Sequence, residues 1–150
     1  MDLTKIKQLR EKTGAGIADC NAALKEVDGD IKKAEELLKK QGFEKAAKKA
    51  NRAIASGLIE SYIHGQGKIG VLVEIGCETD FVARTDDFKH LAHEVAMQIS
   101  AMNPKDVKTL LSQEYIRDSS LTIEQLIKAA IAKLGENISI IKFSRMVLGE

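Results

Sequence analysis

The sequence predicts an α+β protein, a three-helix N-terminal bundle followed by a three-stranded antiparallel sheet with helices packed on one face. Three observations carry this. Apolar residues recur at helical spacing through residues 1–42, the period changes to two between Leu58 and Ile75, and helical spacing returns at Phe88. With 150 residues and 44% hydrophobic side chains, the chain is large enough to bury a core.

Thr4 is a candidate cap for a first helix with Ile6 and Leu9 as its apolar positions. Thr13-Gly14-Ala15-Gly16 stops it, because glycine readily takes the backbone angles of a sharp turn. Ile17 opens a second helix, striped by Cys20, Ala23, Leu24 and Val27 and ended by Asp28-Gly29. Asp30 caps a third, in which Ile31, Ala34, Leu37 and Leu38 keep helical spacing as far as Gly42. Residues 1–42 thus read as a helical head. Residues 43–54, where Lys45, Lys48, Lys49 and Arg52 give the steepest local charge, read as a helical connector.

Residues 55–150 read as the sheet module. Leu58, Glu60 and Tyr62 alternate with Ile59, Ser61 and Ile63; after Gly65-Gln66-Gly67, Ile69, Val71, Val73 and Ile75 alternate again, which predicts a hairpin. Asp86 or Asp87 can cap a helix carrying Phe88, Leu91, Ala92, Val95, Ala96, Ile99 and Met102, up to the sole proline, Pro104. Val107, Leu110 and Leu111 suggest a short helix. Thr122 and Gln125 form a capping-box pattern for another, which Gly135 closes. Residues 137–148 have the isoleucine, valine and phenylalanine of a third strand. Ile69, Val71, Val73 and Ile75 are expected to meet the helices and Leu58, Tyr62 and Leu72 to lie on the opposite face. An apolar second face needs a cover, which predicts a homodimer through it.

Composition excludes several function classes. The 23 basic and 22 acidic residues leave a net charge of +1, so no global field draws the chain to nucleic acid or anionic lipid. Apolar runs far shorter than a membrane span, and an N-terminus without a signal-peptide core, predict a cytoplasmic protein without membrane partners. Cys20 and Cys77 form no Cys-x-x-Cys pair and read as buried free thiols. His90 and His93 with Glu94 could face a metal, but no third ligand is evident and a solvated helix face is the plainer reading, so neither metal nor cofactor is predicted. His64 has no nucleophile to serve, and no enzyme is predicted. Gly14-Ala15-Gly16 lacks the Gly-Lys-Ser/Thr ending of a phosphate loop, so direct nucleotide binding is not expected. The basic connector lacks the interleaved aromatics of a nucleic-acid surface.

Glu78-Thr79-Asp80-Phe81-Val82-Ala83-Arg84, between the hairpin and the next helix, is too apolar for an ordinary loop. Spacing leaves two readings open. Either Phe81 and Val82 fold inward to staple the following helix, or they are presented to a partner.

Two stretches bear on that choice. Residues 9–24, LREKTGAGIADCNAAL, and residues 77–84, CETDFVAR, resemble the two signatures of the elongation factor Ts family, in the family's order. Gly29-Asp30 and Leu134-Gly135-Glu136-Asn137-Ile138 also look like family stretches, so the resemblance covers nearly the whole chain. It implies a ubiquitin-associated-like head and a guanine nucleotide exchange factor of translation elongation, whose partner, elongation factor Tu, carries GDP and magnesium. In the family the Thr-Asp-Phe-Val segment is implicated in dislodging that magnesium; here those positions are Thr79, Asp80, Phe81 and Val82. The head, around Leu9, Arg10, Thr13, Gly14, Ile17 and Ala18, would grip the partner's nucleotide domain. Longer members have two core modules, an inserted helical hairpin and a C-terminal extension. A chain with one module is expected to pair with a second copy, binding two partner molecules per dimer. The alternative is a ubiquitin-associated-like interaction protein without exchange activity.

Overall fold

The computed structural model describes residues 2–150. Its first helix, α1 (Leu3–Thr13), is capped by Asp2, whose carboxylate accepts the amides of Thr4 and Lys5. Thr4 lies inside the first turn, where its own amide needs a partner, and so is not the cap. Gly14 ends α1 at φ +69°, a left-handed value that glycine reaches without steric cost. α2 (Ile17–Glu26) and α3 (Ile31–Lys48) complete the head, with Ile6, Leu9, Cys20, Leu24, Ala34 and Leu38 in its core. Asp30 caps α3 through the Lys33 amide, as its position suggests.

α3 does not stop at Gly42. It runs on to Lys48, so much of the stretch read as a separate connector is its last turns. Gly42 marks a close approach of helices: a Cβ there would stand 3.1 Å from the Cβ of Ala132 on α7 (Ile123–Leu134). The helix therefore belongs to both halves of the molecule, with Ala34 and Leu38 in the head core and Ala46 in the larger core.

The main sheet has the order β1 (Ser56–His64), β2 (Ile69–Cys77), β5 (Ser139–Val147), each neighbour antiparallel. Its inner face, with Val71, Val73, Ile75 and Ile140, packs into one core with Phe88, Val95 and Ile99 of α5 (Asp86–Met102) and Ile123, Ile127 and Ile131 of α7. Leu58 pairs with Ile75 and Tyr62 with Val71. Direct partners in an antiparallel ladder share a face, so Leu58 and Tyr62 turn toward the helices and pack on the core. This corrects the expected outer face: of the three residues assigned to it only Leu72 lies there, in company with Ile59, Ile63 and Met146, all exposed. One loop residue makes the difference. A connection confined to Gly65-Gln66-Gly67 would pair His64 with Lys68, but Lys68 joins the turn, donating its amide to the His64 carbonyl (3.1 Å), and His64 pairs with Ile69. A shift of one residue turns every side chain of a strand over.

α5 is capped by Thr85, whose hydroxyl accepts the Phe88 amide (3.2 Å); Asp86 and Asp87 fall in its first turn, next to the positive end of the helix dipole. α7 has the full capping box of Thr122 and Gln125. Between them lie α6 (Val107–Ser112) and a small hairpin of β3 (Glu114–Tyr115) and β4 (Asp118–Thr122), too short to give a periodic signal in the sequence. Polar contacts fasten it. The buried Glu94 carboxylate accepts the Tyr115 hydroxyl and the Arg117 Nε, each at 2.6 Å, and Gln98 donates to the Glu114 carbonyl and accepts the Ile116 amide. Glu94 is thus an anchor and no part of a wet face. Burial alone would raise its pKa, but the hydrogen bonds from Tyr115 and Arg117 outweigh that and hold it below the usual carboxylate value. Among the described residues no helix is long and apolar enough to cross a membrane.

Candidate functional site

β2 ends at Cys77 and the chain turns into α4 (Asp80–Ala83), capped by the Thr79 hydroxyl, which accepts the Val82 amide (3.4 Å). Successive residues on a helical turn point about 100° apart, so the two side chains of this segment part company. Val82 turns inward and is 9% exposed; Phe81 turns outward and is 86% exposed. Val82 therefore belongs to the core and does not offer its side chain to a partner, which corrects its expected role. Leaving an aromatic ring in water forgoes about 1.5–3 kcal/mol of burial.

The turn beneath the ring is held by charge and hydrogen bonds. Ser56 Oγ donates to Asp80 Oδ1 (2.5 Å), and Arg84 lies 3.9 Å from the other Asp80 oxygen. Asp80 is exposed. Glu136, just beyond α7, accepts the amides of Glu78 (3.1 Å) and Thr79 (2.9 Å) on Oε1 and the Thr79 hydroxyl (2.7 Å) on Oε2. In return Glu78 accepts the Asn137 amide (2.8 Å) and pairs with Arg52 (3.6 Å). The Asn137 side chain donates to the carbonyls of Ala50 and Arg52. Sequence reasoning gave Glu136 and Asn137 no role. Their signals are their place in the family-like stretch 134–138 and directly after the helix-ending Gly135, whose left-handed φ of +78° redirects the chain.

The two cysteines are buried thiols. Burial first, and the charge of Glu136 second, push the Cys77 thiol up, so it carries little thiolate, and its Sγ lies 3.2 Å from the Thr79 carbonyl.

The head places its expected residues unequally. Leu9 is fully buried in the head core and cannot touch a partner, which corrects its assignment. Thr13 shapes the turn, its hydroxyl donating to the Leu9 carbonyl (2.7 Å) and accepting the Ala15 amide (3.2 Å). Arg10, Gly14, Ile17 and Ala18 remain on the surface around the α1–α2 turn, and Arg10 Nε donates to the Ala15 carbonyl. What the geometry offers is an exposed aromatic ring mounted on a capped turn and a separate exposed surface around the α1–α2 turn.

A family model described as Elongation factor TS matches residues 78–150. The chain is 45% identical to elongation factor Ts of Coprothermobacter proteolyticus over 190 aligned positions, covering 97% of this chain and 96% of that protein. Elongation factor Ts of Fervidobacterium nodosum is 43% identical with the same coverage. The chloroplastic elongation factor Ts of Guillardia theta is 45% identical, with 97% and 87% covered. The 190 aligned positions exceed the 150 residues of this chain, so the first two relatives carry internal residues without a counterpart here.

Proposed function

This chain belongs to the elongation factor Ts family of translation elongation factors, and we propose that it acts as a guanine nucleotide exchange factor, binding elongation factor Tu with its GDP, dislodging magnesium and promoting GDP release. The carrying observation is Phe81, an aromatic ring held in water on a capped turn while its neighbour Val82 anchors that turn in the core. On this reading the protein does no chemistry of its own. It acts by binding the partner better without nucleotide than with it, and linkage then obliges nucleotide to bind the complex more weakly.

A hundredfold weakening of GDP requires about 2.8 kcal/mol of differential binding. Burial of one phenylalanine contributes about 1.5–3 kcal/mol, so a single ring that finds its pocket only in the nucleotide-free partner is of sufficient size. Phe81 enters an apolar pocket near the partner's metal site, and Asp80 draws on polar groups that orient the magnesium ligands. Losing the cation removes charge that holds the diphosphate, and incoming GTP later displaces the factor. Arg10, Gly14, Ile17 and Ala18 hold the nucleotide domain meanwhile.

Two copies pair through the open sheet face of Ile59, Ile63, Leu72 and Met146 and bind two partner molecules per dimer. The place of action is the cytoplasm, with the ribosomes. The deciding experiment is GDP release from purified elongation factor Tu, with and without this protein. An unchanged release rate at micromolar factor overturns the exchange reading.

A further inference from the structure

Resting on the exchange reading, we infer that Glu136 is the positioning residue for Phe81, a carboxylate clamp that presets the ring's direction before any partner arrives. Nothing about the ring itself fixes that direction, since it is exposed and makes no hydrogen bond. What fixes it is the turn, which has two supports besides the local contacts of Asp80 with Ser56 and Arg84. One is Val82, packed in the core below. The other is Glu136, whose two oxygens take the amides of Glu78 and Thr79 and the hydroxyl of Thr79 from a site 57 residues further along the chain.

The bond to the Thr79 hydroxyl matters beyond its own strength. That hydroxyl can donate to Glu136 and still accept the Val82 amide as the helix cap, so one oxygen joins clamp, cap and buried anchor in a single chain. A hydroxyl that donates to a carboxylate is also a better acceptor, which tightens the cap. The next residue extends the clamp. Asn137 is buried, donates its backbone amide to Glu78, and donates its side-chain amide to the carbonyls of Ala50 and Arg52, two residues of the segment leading out of α3. The turn after α7 therefore holds the Phe81 loop and the chain descending from the head at the same time. A preset ring does not have to be ordered during binding, and that ordering would otherwise oppose association.

The test is a double-mutant cycle in full-length protein, reading GDP release from elongation factor Tu at saturating factor. Glu136→Ala removes both acceptor oxygens and their three hydrogen bonds and is expected to slow release about three- to tenfold. Glu136→Gln keeps an oxygen where Oε1 takes both backbone amides, and its NH2 can donate to the Thr79 hydroxyl, so it should stay within about threefold of the parent. In a Phe81→Ala background, Glu136→Ala should add less than a factor of about two, because a residue acting through the ring has nothing left to position. A loss that multiplies with that of Phe81→Ala, or none in Glu136→Ala alone, overturns the assignment.

Amide hydrogen exchange tests the clamp without the partner, and so separates its failure from failure of the exchange reading. Glu136→Ala should speed exchange at Glu78, Thr79 and Val82 by about tenfold or more and leave Val95 and Ile99 in α5 unchanged. Unaltered protection at Thr79 overturns the clamp whatever the factor does to GDP. Should the parent fail to speed GDP release from elongation factor Tu while those amides still respond, the clamp stands and only the exchange reading falls.

Discussion

Leu58 stands directly opposite Ile75 on the helix-covered face of the sheet, while Leu72 in the same β1–β2 ladder points the other way. The two leucines therefore answer to different measurements. Leu58→Ala should cost about 1–3 kcal/mol of unfolding free energy, less than a fully buried leucine, and leave association unchanged. Leu72→Lys combined with Ile63→Lys should leave the fold nearly as stable and convert the proposed dimer to monomer in analytical ultracentrifugation. A dimer that survives both lysines has its interface elsewhere.

Phe81→Ala removes an exposed ring, so the thermal midpoint should barely move, as for other surface changes within about 0.5 kcal/mol. GDP release driven by the factor should fall roughly ten- to hundredfold, the range that burial of one phenylalanine corresponds to. Stopped-flow release of a fluorescent GDP analogue reads this directly, and an unchanged rate eliminates the ring as the acting group.

Glu94 predicts a pH dependence of stability. Its carboxyl titrates below the usual value of 4.5 in the folded state, because hydrogen bonds from Tyr115 and Arg117 outweigh the burial that would raise it. Its contribution is therefore complete above about pH 4.5 and is lost as the pH falls from there through the lower folded value. Urea unfolding should show this loss in the parent and a flatter acid limb in Glu94→Gln, which should also be less stable by about 1–3 kcal/mol at neutral pH.

Gly42→Val tests the contact between α3 and α7. The new side chain would meet Ala132, whose Cβ would be only 3.1 Å from the added Cβ, and helices held this closely cannot absorb it without parting. Overpacking of this kind costs about 1–3 kcal/mol. Limited proteolysis should cut residues 49–55 faster in the variant, and an unchanged digestion pattern would mean that the helices separate freely already.

Much of this architecture is legible in the sequence because it rests on local periodicity. The stripe of α5, the capping box of α7 and the alternation of β2 each identify their element from a few neighbouring residues. What the sequence misplaces depends on choices among adjacent residues or on distant ones. Thr85, Asp86 and Asp87 are all competent caps, and only the backbone geometry selects Thr85. Gly42 looks like a stop, yet Ala132 makes it a spacer. Alternation gives the parity within β1 and β2 but not the register between them, and Lys68 in the turn decides which face Leu58 and Tyr62 adopt. In the site, the likeness of residues 77–84 to a family signature singles out Phe81 but cannot divide it from Val82. Glu136 stays silent because its partners are more than fifty residues away.

α3 also makes the molecule intolerant of length. Its eighteen residues form a strut about 27 Å long, rooted in the head core by Ala34 and Leu38 and in the larger core by Ala46. A single residue inserted between those roots would advance the head by about 1.5 Å and swing it by about 100° around the strut's axis. The exposed Ile17 would then take a new direction relative to the exposed Phe81, and the proposed partner, fitted to both in their present relation, would reach only one.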